Sequence, residues 1–326
     1  MKTTKSFRRS PGPFESLVSF ILPIFLLLPA FSPARAAWEK TADTLAWKSG
    51  DQTLWQFCFG QNLSKPYFHP IALTGGEPLT TLSPPDHLHH YGLWFSWKYI
   101  NEVNYWELDK KTGKSVGPTK WDSPEITTHD DGSAEIKMNL RYVSPSNEAV
   151  VLIAEQREIK VSAPKADGSI TIDWSAKFTA GETELLLDRT HMPGEPHGAV
   201  NGGYAGFSMR VAQVPAKDEF LTIEGPVEKY ESDRARPNSK AAACNITQNG
   251  RTDGVAILSL ASNVGGDSPW YISNSEKMRW FEPALIAPAA KKVAPHETFT
   301  WKFRVITKSG AWKPDELKSA SEEFNK

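Results

Sequence analysis

Apolar and polar residues alternate with period two along much of the chain, and this confines the fold to antiparallel β-structure. Ala134, Ile136, Met138, Leu140 and Tyr142 alternate with polar neighbours, as do Ile170, Ile172, Trp174, Ala176 and Phe178, and Phe299, Trp301, Phe303 and Val305. Successive side chains of a strand point to opposite faces, so the pattern buries one face and leaves the other to water or a cleft. Residues 52–59, 150–161 and 254–261 read as further strands, with Gly, Pro, Asn and Asp clusters at 110–117, 163–168 and 262–269 between them. A 3.6-residue period is missing except near the C-terminus. There Pro314-Asp315-Glu316-Leu317 puts Pro in the first turn of a short helix and acids near its N-terminus. With no fixed-period repeat to suggest a propeller, the expectation is all-β: one large antiparallel β-sandwich with a short C-terminal helix.

Residues 1–36 have a different character. Lys2, Lys5, Arg8 and Arg9 precede an apolar run at 17–31, and Ala34-Arg35-Ala36 has the small-x-small form of a cleavage site. The run is 15 residues long and contains Pro23 and Pro29, whereas a membrane span needs roughly 20 apolar residues. These residues read as a secretory signal peptide cut near Ala36, leaving a single β-sandwich domain over 37–326 in the periplasm or outside the cell. Beyond residue 36, 32 Lys and Arg face 37 Asp and Glu, a net charge of −5. Bulk attraction to nucleic acid is thereby excluded, and no later apolar run is long enough to span a bilayer. An oxidising compartment would permit a disulfide between Cys58 and Cys244; two buried thiols fit equally well.

Four of the eight histidines fall between residues 68 and 90. The densest stretch is Asp86-His87-Leu88-His89-His90, preceded by Pro84-Pro85 and followed by the aromatic run Tyr91 to Trp97. Imidazoles suit proton transfer near neutral pH. They could equally supply two ligands, His87 and His89, to a divalent metal, with Glu155, His69 or His191 as the third. A structural hydrogen-bonded loop is the remaining alternative. In extended geometry His87 and His89 would share one side, and Asp86, Leu88 and His90 the other.

Two other segments carry polar groups of interest. Glu155 and Arg157 share one face of an expected strand, where they could orient hydroxyls, bind an acidic sugar or form a simple ion pair. Asp188-Arg189-Thr190-His191 opens a long Gly-rich loop ending at Tyr204, and its glycines suit tight turns or close approach of a ligand. Of the 12 tryptophans most must be core, and Trp94 and Trp270 are the expected stacking platforms. The chain lacks a G-x-S-x-G elbow, a Walker loop and a C-x-x-C pair.

Pro66-Tyr67-Phe68-His69-Pro70, followed by Asp86 through Ser96, resembles the PmoA-like family of exported bacterial proteins. That family's pattern runs P-Y-x-H-P, then D-H-P-H-H-R-G-L-W. Glu155-x-Arg157 and Gly202-Gly203-Tyr204 fall where the family has similar elements. Leu88 and Tyr91 stand where Pro and Arg are usual, and the missing Arg removes a potential anion contact. The name "methane oxygenase" often attached to the family describes a multi-span membrane subunit, which the absence of spanning segments here excludes. The resemblance implies instead a galactose-mutarotase-like supersandwich that handles carbohydrate.

The sequence-based expectation is therefore an exported carbohydrate-active protein acting on a glycoside or oligosaccharide by hydrolysis, elimination or epimerisation. His87, His89 and Glu155 would be catalytic, and His69, Asp86, His90, Trp94, Arg157, His191, Tyr204 and Trp270 would contact substrate. The alternatives are a non-catalytic glycan-binding sandwich and a metal-dependent enzyme using His87 and His89. No cofactor is required by the sequence, although a divalent metal would be compatible with it.

Overall fold

The computed structural model describes residues 1–6, 8–10, 12, 36–214 and 219–326. Contacts separate residues 1–33 from residues 34–326, and the architecture below is that of the second group. The expected signal peptide's apolar core, 17–31, lies outside the described residues.

Among the described residues, two ten-stranded antiparallel sheets pack face to face. The central strands of the first are Gln52–Cys58, Tyr67–Ile71, Leu93–Ser96, Gly206–Arg210, Arg279–Pro283 and Ser268–Asn274, in that spatial order. The second is built around Ala241–Gln248, Arg251–Ser259, Thr298–Ser309, Thr171–Ala180, Asn147–Val161 and Ala134–Ser144. The alternation read from the sequence is realised directly, because Ala134, Ile136, Met138, Leu140 and Tyr142 are all buried and point to the first sheet. Rings from the two layers meet between them: Phe207 stacks on Phe303 with centroids 4.6 Å apart, and Phe95 lies 5.3 Å from Phe178. Each such side chain removed from water contributes about 1.5–3 kcal/mol.

The two outer faces are treated differently. The second sheet is partly covered by the helix Pro314–Phe324, whose Leu317 packs on Leu221, Ala243 and Leu258 together with Trp312. This helix starts as expected, with Pro in its first turn and Glu316 accepting hydrogen bonds from the Lys313 amide and Lys308 Nζ. The first sheet is buried on its outer face as well. Leu93–Ser96, Gly206–Arg210 and Arg279–Pro283 are buried at every position, and Tyr67, Trp94, Tyr271 and Trp280 form a second aromatic cluster there. A small third sheet joins Lys291–Val293, Leu185–Asp188, Tyr99–Ile100 and Val103–Asn104.

Three expectations are corrected by this layering. Glu155 and Arg157 do share a strand face, but it is the core face, where both side chains have 0% exposure. Arg157 donates from Nε to Glu155 Oε1 (2.6 Å) and from Nη2 to Oε2 (3.0 Å), and the Tyr142 hydroxyl donates to Oε2 (2.7 Å). The guanidinium lies 4.5 Å from the Trp174 ring. The pair is a sealed ion pair between the sheets and does not reach a substrate, so neither a catalytic role for Glu155 nor a binding role for Arg157 holds. Trp270 is no platform either: it is 1% exposed in the inter-sheet core, with Nε1 donating to the Ser239 carbonyl at 2.9 Å. Cys58 belongs to the outer cluster and Cys244 to the inter-sheet core, and they do not form a disulfide with each other.

Breaking the buried pair from one side leaves an uncompensated charge, so Glu155→Leu is expected to cost about 3–5 kcal/mol of stability. The double variant Glu155→Leu/Arg157→Met should recover most of that loss. Urea unfolding of the three proteins measures both values; equal stability of Glu155→Leu and wild type would refute a sealed pair at this position.

Candidate functional site

The histidine segment is a turn-rich loop lying over the outer face of the first sheet. The His87 amide donates to the Pro84 carbonyl (2.9 Å), the His90 amide to the His87 carbonyl (3.0 Å) and the Ser83 amide to the His90 carbonyl (2.8 Å). Gly92 ends the loop at φ +66°, and a Cβ there would sit 2.3 Å from the Phe68 carbonyl oxygen. Only glycine combines that left-handed backbone with so close an approach to the neighbouring strand. Because the loop turns rather than extends, the expected segregation of His87 and His89 from His90 does not occur. The three rings gather, with centroids 4.8 Å apart for His87–His90 and for His89–His90 and 5.5 Å for His87–His89.

Each imidazole has a distinct environment. His90 is buried between Trp94 and Trp280, at 5.1 and 5.0 Å. Its Nδ1 lies 3.3 Å from Arg210 Nη1. Arginine can only donate, so His90 Nδ1 is the acceptor and its proton sits on Nε2. His87 Nδ1 lies 2.9 Å from Asp86 on the rim. Burial opposes ionisation of Asp86, but His87 and then Arg210 outweigh it and hold the carboxyl below its ordinary range. His89 faces the cavity. Burial, reinforced by Lys65, pushes its pKa down to about 3, with Glu107 opposing.

A cavity of about 190 Å³ opens beside these rings, lined by His87, His89, His90, Glu107, Asn201, Tyr204, Arg234, Tyr271, Met278 and Trp280. Glu107 follows the aromatic run of the first sheet and is held by Lys98 and by Asn104 Nδ2, while the Tyr204 hydroxyl donates to its Oε1 at 3.1 Å. Burial would raise the Glu107 carboxyl, but Lys98 and Asn104 overcome it and keep the group ionised. Behind it lies Lys65, 2% exposed, donating to the Trp106 carbonyl at 2.8 Å with its Nζ 5.5 Å from the Tyr91 and Trp106 rings. Burial pushes this amine down to about 7, against the pull of Glu107. Glu282 is buried on the same strand as Trp280, accepts from the Ala205 amide (2.8 Å) and the Ser208 hydroxyl, and is pushed up to about 8 by burial.

The loop from Asp188 to Tyr204 forms the opposite wall. Arg189 donates to the Ala287 carbonyl (3.0 Å) and to Asp188 and Glu195, and Glu195 accepts from the Met192 amide (2.7 Å). Gly202 is required for closure, since a Cβ there would lie 1.7 Å from the His191 carbonyl oxygen. Tyr204 is thereby brought to the cavity, whereas His191 stays half exposed, 3.9 Å from Glu195 and away from the lining.

The structure thus unites His87, His89, His90 and Tyr204. Asp86 stands at the rim, and Trp94 is fully buried beneath His90, a support rather than a platform. His69 does not line the cavity; its Nδ1 is 2.9 Å from the Thr80 hydroxyl, and burial lowers its pKa to about 4. Glu155, His69 and His191 are all elsewhere, so none of them joins His87 and His89 as a third ligand. Among the described residues no three His, Cys, Asp or Glu side chains converge as a metal site requires. Glu107, Arg234, Tyr271 and Trp280 escape a reading of the sequence because they arrive from separate loops and strands with no local motif.

Residues 44–322 match a family of unknown function, DUF6807. No curated protein matches the chain. Among solved structures it is similar to an α-galactosidase from Lactobacillus brevis, with a TM-score of 0.43 and 10% identity over 84% of this chain and 39% of that one. It is also similar to the galactosidase domain of an α-galactosidase–sucrose kinase (TM-score 0.38, 10% identity, 85% and 41%). A third likeness is to a galactose mutarotase related enzyme from Lactobacillus acidophilus (TM-score 0.35, 8% identity, 84% and 98%). The chain spans about two-fifths of the length of the two galactosidase structures.

Histidines held neutral by the fold give a pH signature. With folded values near 3 for His89 and 4 for His69 against an ordinary 6.5, their contribution to stability is complete above about pH 6.5. It is lost as the pH falls from there toward 3, where the unfolded chain binds protons that the folded chain refuses. Side-chain NMR of imidazole-labelled protein should find both rings neutral at pH 5; a His89 midpoint near 6.5 would refute this picture of the cavity.

Proposed function

The chain belongs to DUF6807, a family of unknown function, and from the chemistry of its outer-face cavity we propose that it is a carbohydrate-active protein that takes the terminal ring of a glycoside. The observation that carries this reading is the convergence of ionised Glu107, neutral His89 and the Tyr204 hydroxyl beside the Trp280 ring in a single cavity. A carboxylate acceptor and an imidazole able both to donate and to accept match the hydroxyls around a sugar ring, and an indole matches its apolar face, while the Tyr204 hydroxyl gives its one proton to Glu107. The volume is below that of sites for drug-sized ligands, which favours one ring over a bound oligosaccharide.

The reaction class follows from which groups are present. Hydrolysis of a glycoside ordinarily uses two carboxyl groups flanking the bond, whereas the described lining contains Glu107 as its carboxylate and Asp86 only at the rim. A single base beside hydrogen-bond donors suits proton abstraction, as in elimination or epimerisation. In that role Glu107 takes the proton from a ring carbon beside a carbonyl carbon, and the C–H electron pair passes to the carbonyl oxygen as an enolate. The enolate either regains a proton from water on its other face (epimerisation) or expels the β-substituent, which leaves as an alcohol with the proton from Glu107 (elimination). His89 stays neutral and donates to the oxygen on which charge develops, as a neutral imidazole can. Lys98 and Asn104 fix the carboxylate and Tyr204 orients it.

One observation favours a second reading, a non-catalytic sugar-binding sandwich: an imidazole with a pKa near 3 and a carboxylate held below its ordinary value are both weak bases at neutral pH. Export forms part of the proposal, resting on the basic and apolar character of residues 1–36. The resemblance of residues 86–96 to the PmoA-like family adds weight to the histidine loop as a ligand site and to nothing beyond it.

The protein incubated with a panel of glycosides and free sugars, read by mass spectrometry, is expected to form a product isobaric with the substrate or lighter by an eliminated group. Glu107→Gln should slow its formation by about 10²–10⁴-fold. An isobaric epimer is separated from substrate by ion mobility or chromatography. Binding without product in wild type would select the second reading, and the absence of both would overturn the proposal.

A further inference from the structure

Glu107 accounts for the negative side of the cavity, and its cation is already present in Lys98. Asp86, at the rim, is taken by His87 and lies 3.9 Å from Arg210. Arg234 on the opposite side has no such counterpart: among the described residues no carboxylate oxygen forms an ion pair with it. Its Nε donates to the Tyr271 hydroxyl (2.9 Å) and its Nη1 to the Ser232 carbonyl (3.1 Å), which fixes the plane of the guanidinium and leaves Nη2 without an acceptor among the described residues.

The backbone that delivers Arg234 is unusually constrained. Glu231 and Arg234 exchange amide-to-carbonyl hydrogen bonds of 2.8 and 2.9 Å around a two-residue tip. That tip is Ser232-Asp233, with φ of +46° and +64°, both left-handed and neither glycine. Hairpin turns of this kind favour Asn-Gly or Gly-Gly, so the conformation here must be imposed by its surroundings. The Asn274 amide supplies part of that, donating to the Asp233 carbonyl at 2.9 Å. Strained backbone of this sort concentrates where a side chain must be aimed.

Two residues on, Arg236 shows what a structural arginine looks like at the same edge. It lies 5.4 Å from the Tyr271 ring, whose hydroxyl Arg234 engages, and donates Nη2 to the carbonyls of Val200 and Gly202, tying down the loop that carries Asn201 and Tyr204. Arg236 gives Nη2 to the loop and stays outside the cavity lining, whereas Arg234 lines the cavity and its Nη2 has no acceptor among the described residues.

We propose that Arg234 is a specificity-determining residue, and that the ligand of this site is a sugar bearing a carboxylate, a uronate or its glycoside, whose charge pairs with the Arg234 guanidinium. This deepens the carbohydrate reading of the cavity and rests on it. The carboxylate sits at the Tyr271–Arg234 side and the ring lies beside Trp280, with its hydroxyls toward His89 and Glu107. A pre-oriented guanidinium is suited to a planar anion and adds a charge-assisted hydrogen bond that a neutral sugar cannot make.

Ligand-observed NMR with the full chain would compare D-galacturonate with D-galactose and D-glucuronate with D-glucose, at equal ionic strength. In at least one pair the uronate is expected to bind about tenfold more tightly, the equivalent of one charge-assisted hydrogen bond. In Arg234→Gln that ratio should fall to near one, and in Arg234→Lys, which keeps the charge and loses the planar fork, it should be intermediate. A ratio near one in wild type, or a tenfold preference that survives Arg234→Gln, would overturn this inference while leaving the sugar site standing. Failure of all four sugars to bind wild type would overturn both.

Discussion

The first sheet is buried on both faces, and the rest of the molecule follows from that constraint. An antiparallel sheet commonly leaves one side to water. Here the loops that precede and follow the strand Leu93–Ser96, together with the loop ending at Tyr204, lay a second aromatic layer over it. Any polar group caught under that layer must be paired or must give up its charge. Lys65, Lys98, Glu107, His90 and Glu282 are the groups so caught. Each has found a partner, moved its proton equilibrium, or both. Of the cavity lining, His89 and His90 are held neutral by burial, and Glu107 is held ionised against burial by Lys98 and Asn104.

This makes the two carboxyl groups at the outer face of the first sheet, half-buried Glu107 and buried Glu282, chemically opposite. Glu107, with a cation and an amide within reach, remains a carboxylate. Glu282, with only neutral donors from Ala205 and Ser208, is pushed toward the protonated form. The same separation acts on the imidazoles. Three rings packed together near Lys65 and Arg210 cannot all carry charge, and burial removes it from His89 and His90. The neutral histidines act as directional hydrogen-bonding groups, and that is a different use of the motif from the proton shuttle its composition first suggests.

Strand placement is legible in the sequence because parity in a strand is a strict rule, and the alternation at 134–142 and 299–305 can be realised in one way only. The aromatic run from Leu93 to Ser96 shows no alternation, which is itself the mark of a strand covered on both sides. Glu155 and Arg157 mislead when parity is applied within the pair and its continuation is ignored: Ile153, Ile159 and Val161 stand at the same parity and are buried with them. The histidine loop is legible by composition. Glu107 and Arg234 are not, since what makes them part of the site is proximity across more than a hundred residues of chain. A one-dimensional pattern does not encode that proximity.

The small third sheet has a mechanical meaning. Its strand Leu185–Asp188 pairs with Tyr99–Ile100, which in turn pairs with Val103–Asn104. The first of these leads directly into the loop bearing Asn201 and Tyr204, and the last ends on the asparagine that grips Glu107. Main-chain hydrogen bonds thus rivet the mountings of two opposing walls to each other. The distance across the cavity between Tyr204 and Glu107 is therefore set by one hydrogen-bonded frame rather than by two independently mounted loops.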